Sequence, residues 1–212
     1  MARRAWIVTG LLSAALLVAP ALPAAAVVPD RVPASVPRSL PAATATTTAV
    51  VLKVKGCNGC AIGVQRAISF DSRTKPHQPE YWNGPSTTVR NGRAVLRVPT
   101  AYTRGMSFTL IASWEVNRNA VPNIVTRVAG KRAGQRVTGR AVARAAKATA
   151  CWAGTSRSKV VLRVTVKRFR AQGLGGEYGW ASRSYMSPMV RSVAPLQSTD
   201  DGTLANQEAF YC

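Results

Sequence analysis

The tightest constraint on this chain is a two-residue alternation of apolar and polar side chains, because only a strand with one buried face demands that period. In 106–116, Met106, Phe108, Leu110, Ala112, Trp114 and Val116 point one way, and Ser107, Thr109, Ser113 and Glu115 the other. In 159–170, Val160, Leu162, Val164 and Val166 read as inward, with Arg163, Thr165 and Lys167 outward. Val50, Leu52 and Val54 alternate with Val51, Lys53 and Lys55 in a first strand. Ile62, Val64, Ile68 and Phe70 form one face of a second, where Arg66 breaks the phase and predicts a bulge or an edge. Weaker strands are read at 124–129, 178–186 and 208–212.

Asn91-Gly92 is the pair that a two-residue type I′ turn requires, since both central residues take positive φ. It predicts a hairpin over 87–98 that sets Arg90 against Arg93 and Val89 against Ala94. Val89, Ala94, Leu96 and Val98 then share one face, and Arg90, Arg93 and Arg97 the other. Like charges placed directly opposite destabilise a ladder, so that corner meets either open water or an anion. One segment departs from the strand period. Between Gly139 and Ala148, Ala141, Val142, Ala145 and Ala146 recur at helical spacing, with Arg140, Arg144 and Lys147 on the opposite side. The expected fold is all-β: an antiparallel sandwich, immunoglobulin- or transthyretin-like, with one short helical crossover.

Two segments precede that domain. Arg3 and Arg4, an apolar run over 5–19 and Ala24-Ala25-Ala26 have the order of a secretory signal cleaved after Ala26, and the run is too short to span a bilayer comfortably. Residues 27–48, with Pro29, Pro33, Pro37 and Pro41 among Ala, Ser and Thr, read as an extended linker. The domain is placed at 49–212, and no transmembrane segment is expected after processing.

Export fits the cysteines. Cys57, Cys60, Cys151 and Cys212 make an even set, which implies two disulfides and allows three pairings. The favoured one joins Cys57 to Cys60 across the Asn58-Gly59 turn and Cys151 to Cys212. Cys57-Asn58-Gly59-Cys60 has the C-x-x-C spacing of redox dithiols, but a strand rather than a helix is expected after it, so the thiolate lacks the helix terminus that would activate it. A zinc ribbon would need a second close cysteine pair, which Cys151 and Cys212 do not supply.

Charge is the other strong signal. The sequence has 29 Lys and Arg against 8 Asp and Glu, a net charge of +21. No acid lies between Glu115 and Glu177. Such a surface repels itself unless an anionic partner or counterions are present. The expected partners are anionic cell-wall or extracellular polymers, with nonspecific nucleic-acid binding as a possibility. Candidate anion-binding residues are Arg90, Arg93, Arg97, Arg140, Arg144, Lys147, Arg163 and Lys167. Tyr81 and Trp82, in a Pro-rich loop over 71–85, and Trp180 are aromatic-loop candidates for stacking on sugars or for anchoring a protein partner.

No catalytic constellation is found. His77 is the single histidine, and no G-x-S-x-G context exists to meet it. A metal site from Asp71, His77 and Glu80 is conceivable, but neither metal nor cofactor is expected. A glycosidase pair would have to come from Glu115, Glu177, Asp200, Asp201 or Glu208, and nothing singles two of them out. The expectation is a noncatalytic adhesive domain; an inhibitor or adhesin and a hydrolase with an unrecognised carboxylate pair are the alternatives.

Gly56-Cys57-Asn58-Gly59-Cys60, Val98-Pro99-Thr100 with Thr103-Arg104-Gly105-Met106, Cys151-Trp152-Ala153-Gly154-Thr155 and the terminal cysteine resemble phrases in a group of secreted actinobacterial proteins. The resemblance covers most of 50–212. It implies export and a disulfide-bonded β domain, and it carries no activity and no catalytic residue.

Overall fold

The computed structural model describes residues 46–70, 79–115, 123–172, 176–199 and 212. The signal segment, linker residues 27–45, His77, Asp71, Asp200, Asp201, Glu208 and all but Cys212 of the strand read at 208–212 lie outside them; the last linker residues, Thr47 and Thr48, belong to the first strand, so the domain starts earlier than residue 49. Residues 43–212 form a compact unit.

The strands are β1 (Thr47–Lys55), β2 (Ala61–Phe70), β3 (Pro79–Thr88), β4 (Arg93–Pro99), β5 (Ser107–Ile111), β6 (Arg127–Val128), β7 (Lys147–Thr149), β8 (Lys159–Gln172), β9 (Tyr178–Met186) and β10 (Gln197–Ser198). Among the described residues one α-helix, α1 (Gly139–Ala143), lies between β6 and β7, and a single 3-10 turn spans Thr100–Tyr102. The all-β class and sandwich-like arrangement hold. One sheet has the order β4-β1-β8-β9, a second β3-β2-β5, and a small third β10-β7-β6. Pairing is antiparallel except between β1 and β8, which run parallel. That pair corrects the purely antiparallel expectation. A parallel pair needs a long connection, and here the whole second sheet intervenes.

The alternation does what its period requires. Val50, Leu52 and Val54 of β1, Leu96 and Val98 of β4, and Leu162, Val164 and Val166 of β8 meet Ile62 and Val64 of β2 and Phe108 and Leu110 of β5 in one core. At about 25 cal/mol per Å² of apolar area removed from water, this layer is the main source of stability. A second cluster, Val125, Val128, Val142, Ala145, Ala148, Ala150, Tyr185 and Met189, lies beside the third sheet.

The two disulfides are Cys57–Cys60 and Cys151–Cys212. Cys57 and Cys60 are buried in the main core, which suits a structural bond. Trp152 is buried with its ring 5.9 Å from Phe108, and Trp114 packs half-buried against the same core.

Several local expectations are overturned by tertiary pairing. The Asn91-Gly92 turn forms, with φ of 50° and 67°, and Arg90 and Arg93 exchange backbone hydrogen bonds of 2.9 Å. The hairpin stops there. The Val89 N–H donates to the Cys60 carbonyl at 2.8 Å, β3 pairs with β2, and β4 pairs with β1. The turn therefore carries the chain from one sheet to the other, and Val89 does not pair with Ala94. The register of β2 shifts twice against β3, near Gln65 and near Ser69. These shifts account for Arg66 and leave Ile68 52% exposed, whereas the sequence pattern put Ile68 on the core face. Ser107 and Thr109, read as outward, are buried because β5 is covered on both faces.

The predicted helix over 139–148 shrinks to five residues. The Thr138 hydroxyl accepts from the Ala141 N–H at 3.2 Å, as an N-cap does. Alanine's helix propensity then loses to pairing of Lys147–Thr149 with β6 and β10. Because β6 and β7 are adjacent antiparallel partners, α1 is a connection within one sheet rather than a crossover. Arg140 and Arg144 stay with α1 and its cap, Lys147 belongs to β7, and the single basic helical face does not exist.

Candidate functional site

The chain concentrates charge on the outer face of the four-stranded sheet, and ladder register explains how. Residues outward on adjacent strands stand about 4.8 Å apart across the sheet and about 7 Å apart along a strand. Lys53 is opposite Arg93 on one side and opposite Arg163 on the other. Arg93, Lys53 and Arg163 thus form a transverse row, with Arg90 facing Arg93 across the turn. Two residues along, Val51 is flanked by Val95 and Val161. Two further, Ala49 lies between Arg97 and Lys159. Two basic rows therefore border an apolar one, and β1, β4 and β8 contain no Asp or Glu.

Beyond the Arg93–Lys53–Arg163 row the face deepens into a cleft of about 410 Å³ lined by Lys53, Lys55, Gly92, Arg136, Arg163, Thr165 and Ser187. The four cations arrive from three segments. Lys53 and Lys55 are two apart on β1 and share its outer face; Arg163 is their neighbour on β8. Arg136 comes from the loop before α1, is exposed, and stands between residues whose backbone is held by a set of hydrogen bonds. The Gly134 N–H donates to the Met189 carbonyl at 2.8 Å, and the Met189 N–H to the Gln135 carbonyl at 2.9 Å. The Val137 N–H donates to the Ser187 hydroxyl at 3.1 Å, and the Ser187 N–H to the Arg163 carbonyl at 3.0 Å. Val137 is thereby tied through Ser187 to the strand that carries Arg163, and Gln135 to Met189 just beyond Ser187.

Of the candidates read from sequence, Arg90, Arg93, Arg97 and Arg163 lie on this face. Lys167 is also on β8, opposite Arg183 and near the start of α1. Arg140, Arg144 and Lys147 belong to other elements. Lys53, Lys55 and Arg136 were not among the candidates. The outward phase of Lys53 and Lys55 is legible in the alternation; their neighbours are not, because a parallel partner 110 residues away leaves no local trace.

The aromatic candidates are strand residues, which corrects their assignment to loops. Tyr81 and Trp82 are on β3. Trp82 is half-buried, packs against the main core and meets Tyr102 edge-on at 4.9 Å. Its capping role removes it from the exposed set. Trp180, on β9, is 42% exposed with the Arg170 guanidinium 4.5 Å above its ring, and Tyr178 is 73% exposed. Arg168 and Arg183 stack similarly on Trp114 and Phe169, at 3.7 and 4.4 Å.

Glu115 is also corrected: read as outward, it is buried, and the Ser182 hydroxyl donates to its carboxylate. Burial pushes its pKa up, against the Ser182 hydrogen bonds, which lower it. Glu177, the other acid bounding the acid-free stretch, is exposed.

No family model, curated protein or solved structure matches the chain. Among the described residues no helix is long and apolar enough to cross a membrane.

Proposed function

We propose that this protein is an exported, noncatalytic domain that adheres to anionic cell-envelope or extracellular polymers through the outer face of its four-stranded sheet. The observation that carries the reading is the flanking of Lys53 by Arg93 and Arg163 in a single ladder row. Like charges at that spacing repel by about 1 kcal/mol per pair in water, and nothing acidic on these strands offsets it. A polymer with repeated negative charges relieves the repulsion and releases its counterions. The two disulfides suit an oxidising compartment, and the signal-like N-terminus accords with export.

Retention on purified, phosphate-bearing cell-wall polymer at rising salt tests the reading. Strong retention at low salt, falling steeply with ionic strength and weakened by Lys53→Glu with Arg163→Glu, is expected. No retention at low salt, or retention indifferent to salt, overturns it. A second reading, a protein-binding module, is favoured by the exposed pair Tyr178 and Trp180. It predicts that Trp180→Ala abolishes capture of the partner while the double charge reversal leaves it intact.

A further inference from the structure

We propose that the cleft bounded by Lys53, Lys55, Arg136 and Arg163 is a subsite for one compact phosphate anion carrying two or more negative charges, a diphosphate or a terminal phosphomonoester. The inference deepens the polymer-binding reading and rests on it for the source of the group. The rows on the sheet are linear arrays of single charges and suit an extended chain. The cleft differs in shape and in charge density. Four cations from three segments converge on about 410 Å³, room for about fourteen waters at ~30 Å³ each. A diphosphate fits that space; a single carboxylate would leave most of the charge unopposed.

The other polar side chains of the cleft are already engaged. The Ser187 hydroxyl is hydrogen-bonded to both the N–H and the carbonyl of Val137, and the Thr165 hydroxyl to Tyr185. Recognition therefore falls to two guanidinium forks and two ammonium groups. That set matches tetrahedral oxyanions through bidentate and point-charge contacts, and it ranks ligands by charge rather than by a hydrogen-bond pattern. The tied loop presets the backbone that carries Arg136, so the ordering left when the anion enters is that of the four side chains.

The test is calorimetric titration of the full-length processed protein with pyrophosphate and with sulfate at matched ionic strength, alongside retention on the polymer. One pyrophosphate per chain is expected, bound about tenfold or more tightly than sulfate. Arg136→Gln should weaken it by about tenfold. The exposed Arg191→Gln, which makes the same change in net charge away from the cleft, should leave it within about twofold. Polymer with intact terminal phosphates displacing pyrophosphate better than phosphatase-trimmed polymer assigns the group to chain ends; equal displacement assigns it to the free diphosphate. Several weak equivalents, no preference over sulfate, or equal losses in the two variants overturn the proposal. If polymer retention persists in that case, only this subsite fails; if retention is absent too, the polymer reading fails with it.

Discussion

Ser187 and Arg163 are joined by a 3.0 Å hydrogen bond from the Ser187 N–H to the Arg163 carbonyl, and the Ser187 hydroxyl holds Val137. One residue thus connects β8 to the loop that delivers Arg136. Ser187→Ala removes the hydroxyl contacts and keeps the backbone one. Loss of a neutral hydrogen bond costs about 1 kcal/mol, so pyrophosphate affinity should fall several-fold with a small drop in melting temperature. Calorimetry and a thermal scan on the same sample check this. Unchanged affinity would mean that Arg136 is held by other means.

Lys53 occupies the centre of the basic row, so its charge should register in the salt dependence of polymer binding. Lys53→Gln is expected to reduce the slope of log K against log salt by about one, the signature of one lost phosphate contact. A loss of affinity with no change in slope would indicate a packing effect instead.

Glu115 predicts a pH dependence of stability. Its folded pKa is raised by burial. Between the ordinary carboxylate value, about 4.3, and the raised one, the folded state binds more protons than the unfolded state. Stability from this group is therefore full below the unfolded pKa and is lost as pH rises through the folded one. Glu115→Gln, whose amide oxygen still accepts from Ser182, should flatten the curve across that window and raise stability above it. Urea melts at a series of pH values between 4 and 8 would show it. An unchanged pH profile would assign the dependence to other groups.

The two exposed-looking tryptophans should behave differently. Trp82 packs against the main core, and aromatic truncations in such positions cost about 3 kcal/mol or more. Trp180→Ala, at a site 42% exposed, should cost about 1 kcal/mol or less. Denaturant melts separate them.

The Cys151–Cys212 bond closes a span of 61 residues. In the chain-entropy model its removal by Cys151→Ser with Cys212→Ser costs about 4 kcal/mol. Equilibrium unfolding of the double variant measures it, and a loss below about 1 kcal/mol would show that the terminal segment is held chiefly by other contacts.

What the sequence disclosed was the local part of the fold. The alternation in β1, β5 and β8 identified the core faces, Asn91-Gly92 its turn, and the cysteine spacing its two bonds. Long-range partnership stayed hidden. Nothing near Asn91 says that β4 leaves β3 for β1, and nothing near Lys53 names Arg163. For the same reason the helical period over 139–148 was misleading: small alanines suit a helix, yet they also fit the tight second core beside Tyr185 and Met189. The site was half visible, as outward cations, and its assembly depended on the parallel pair.

That parallel pair gives the protein a natural reporter. The Arg93–Lys53–Arg163 triplet exists only once strands far apart in sequence have docked, so an unfolded chain offers the same cations thinly spread. An anion that prefers the assembled triplet must favour the folded ensemble, by RT ln(1 + [L]/Kd). On the proposed reading, an anionic polymer stabilises the fold that binds it, most strongly in dilute electrolyte.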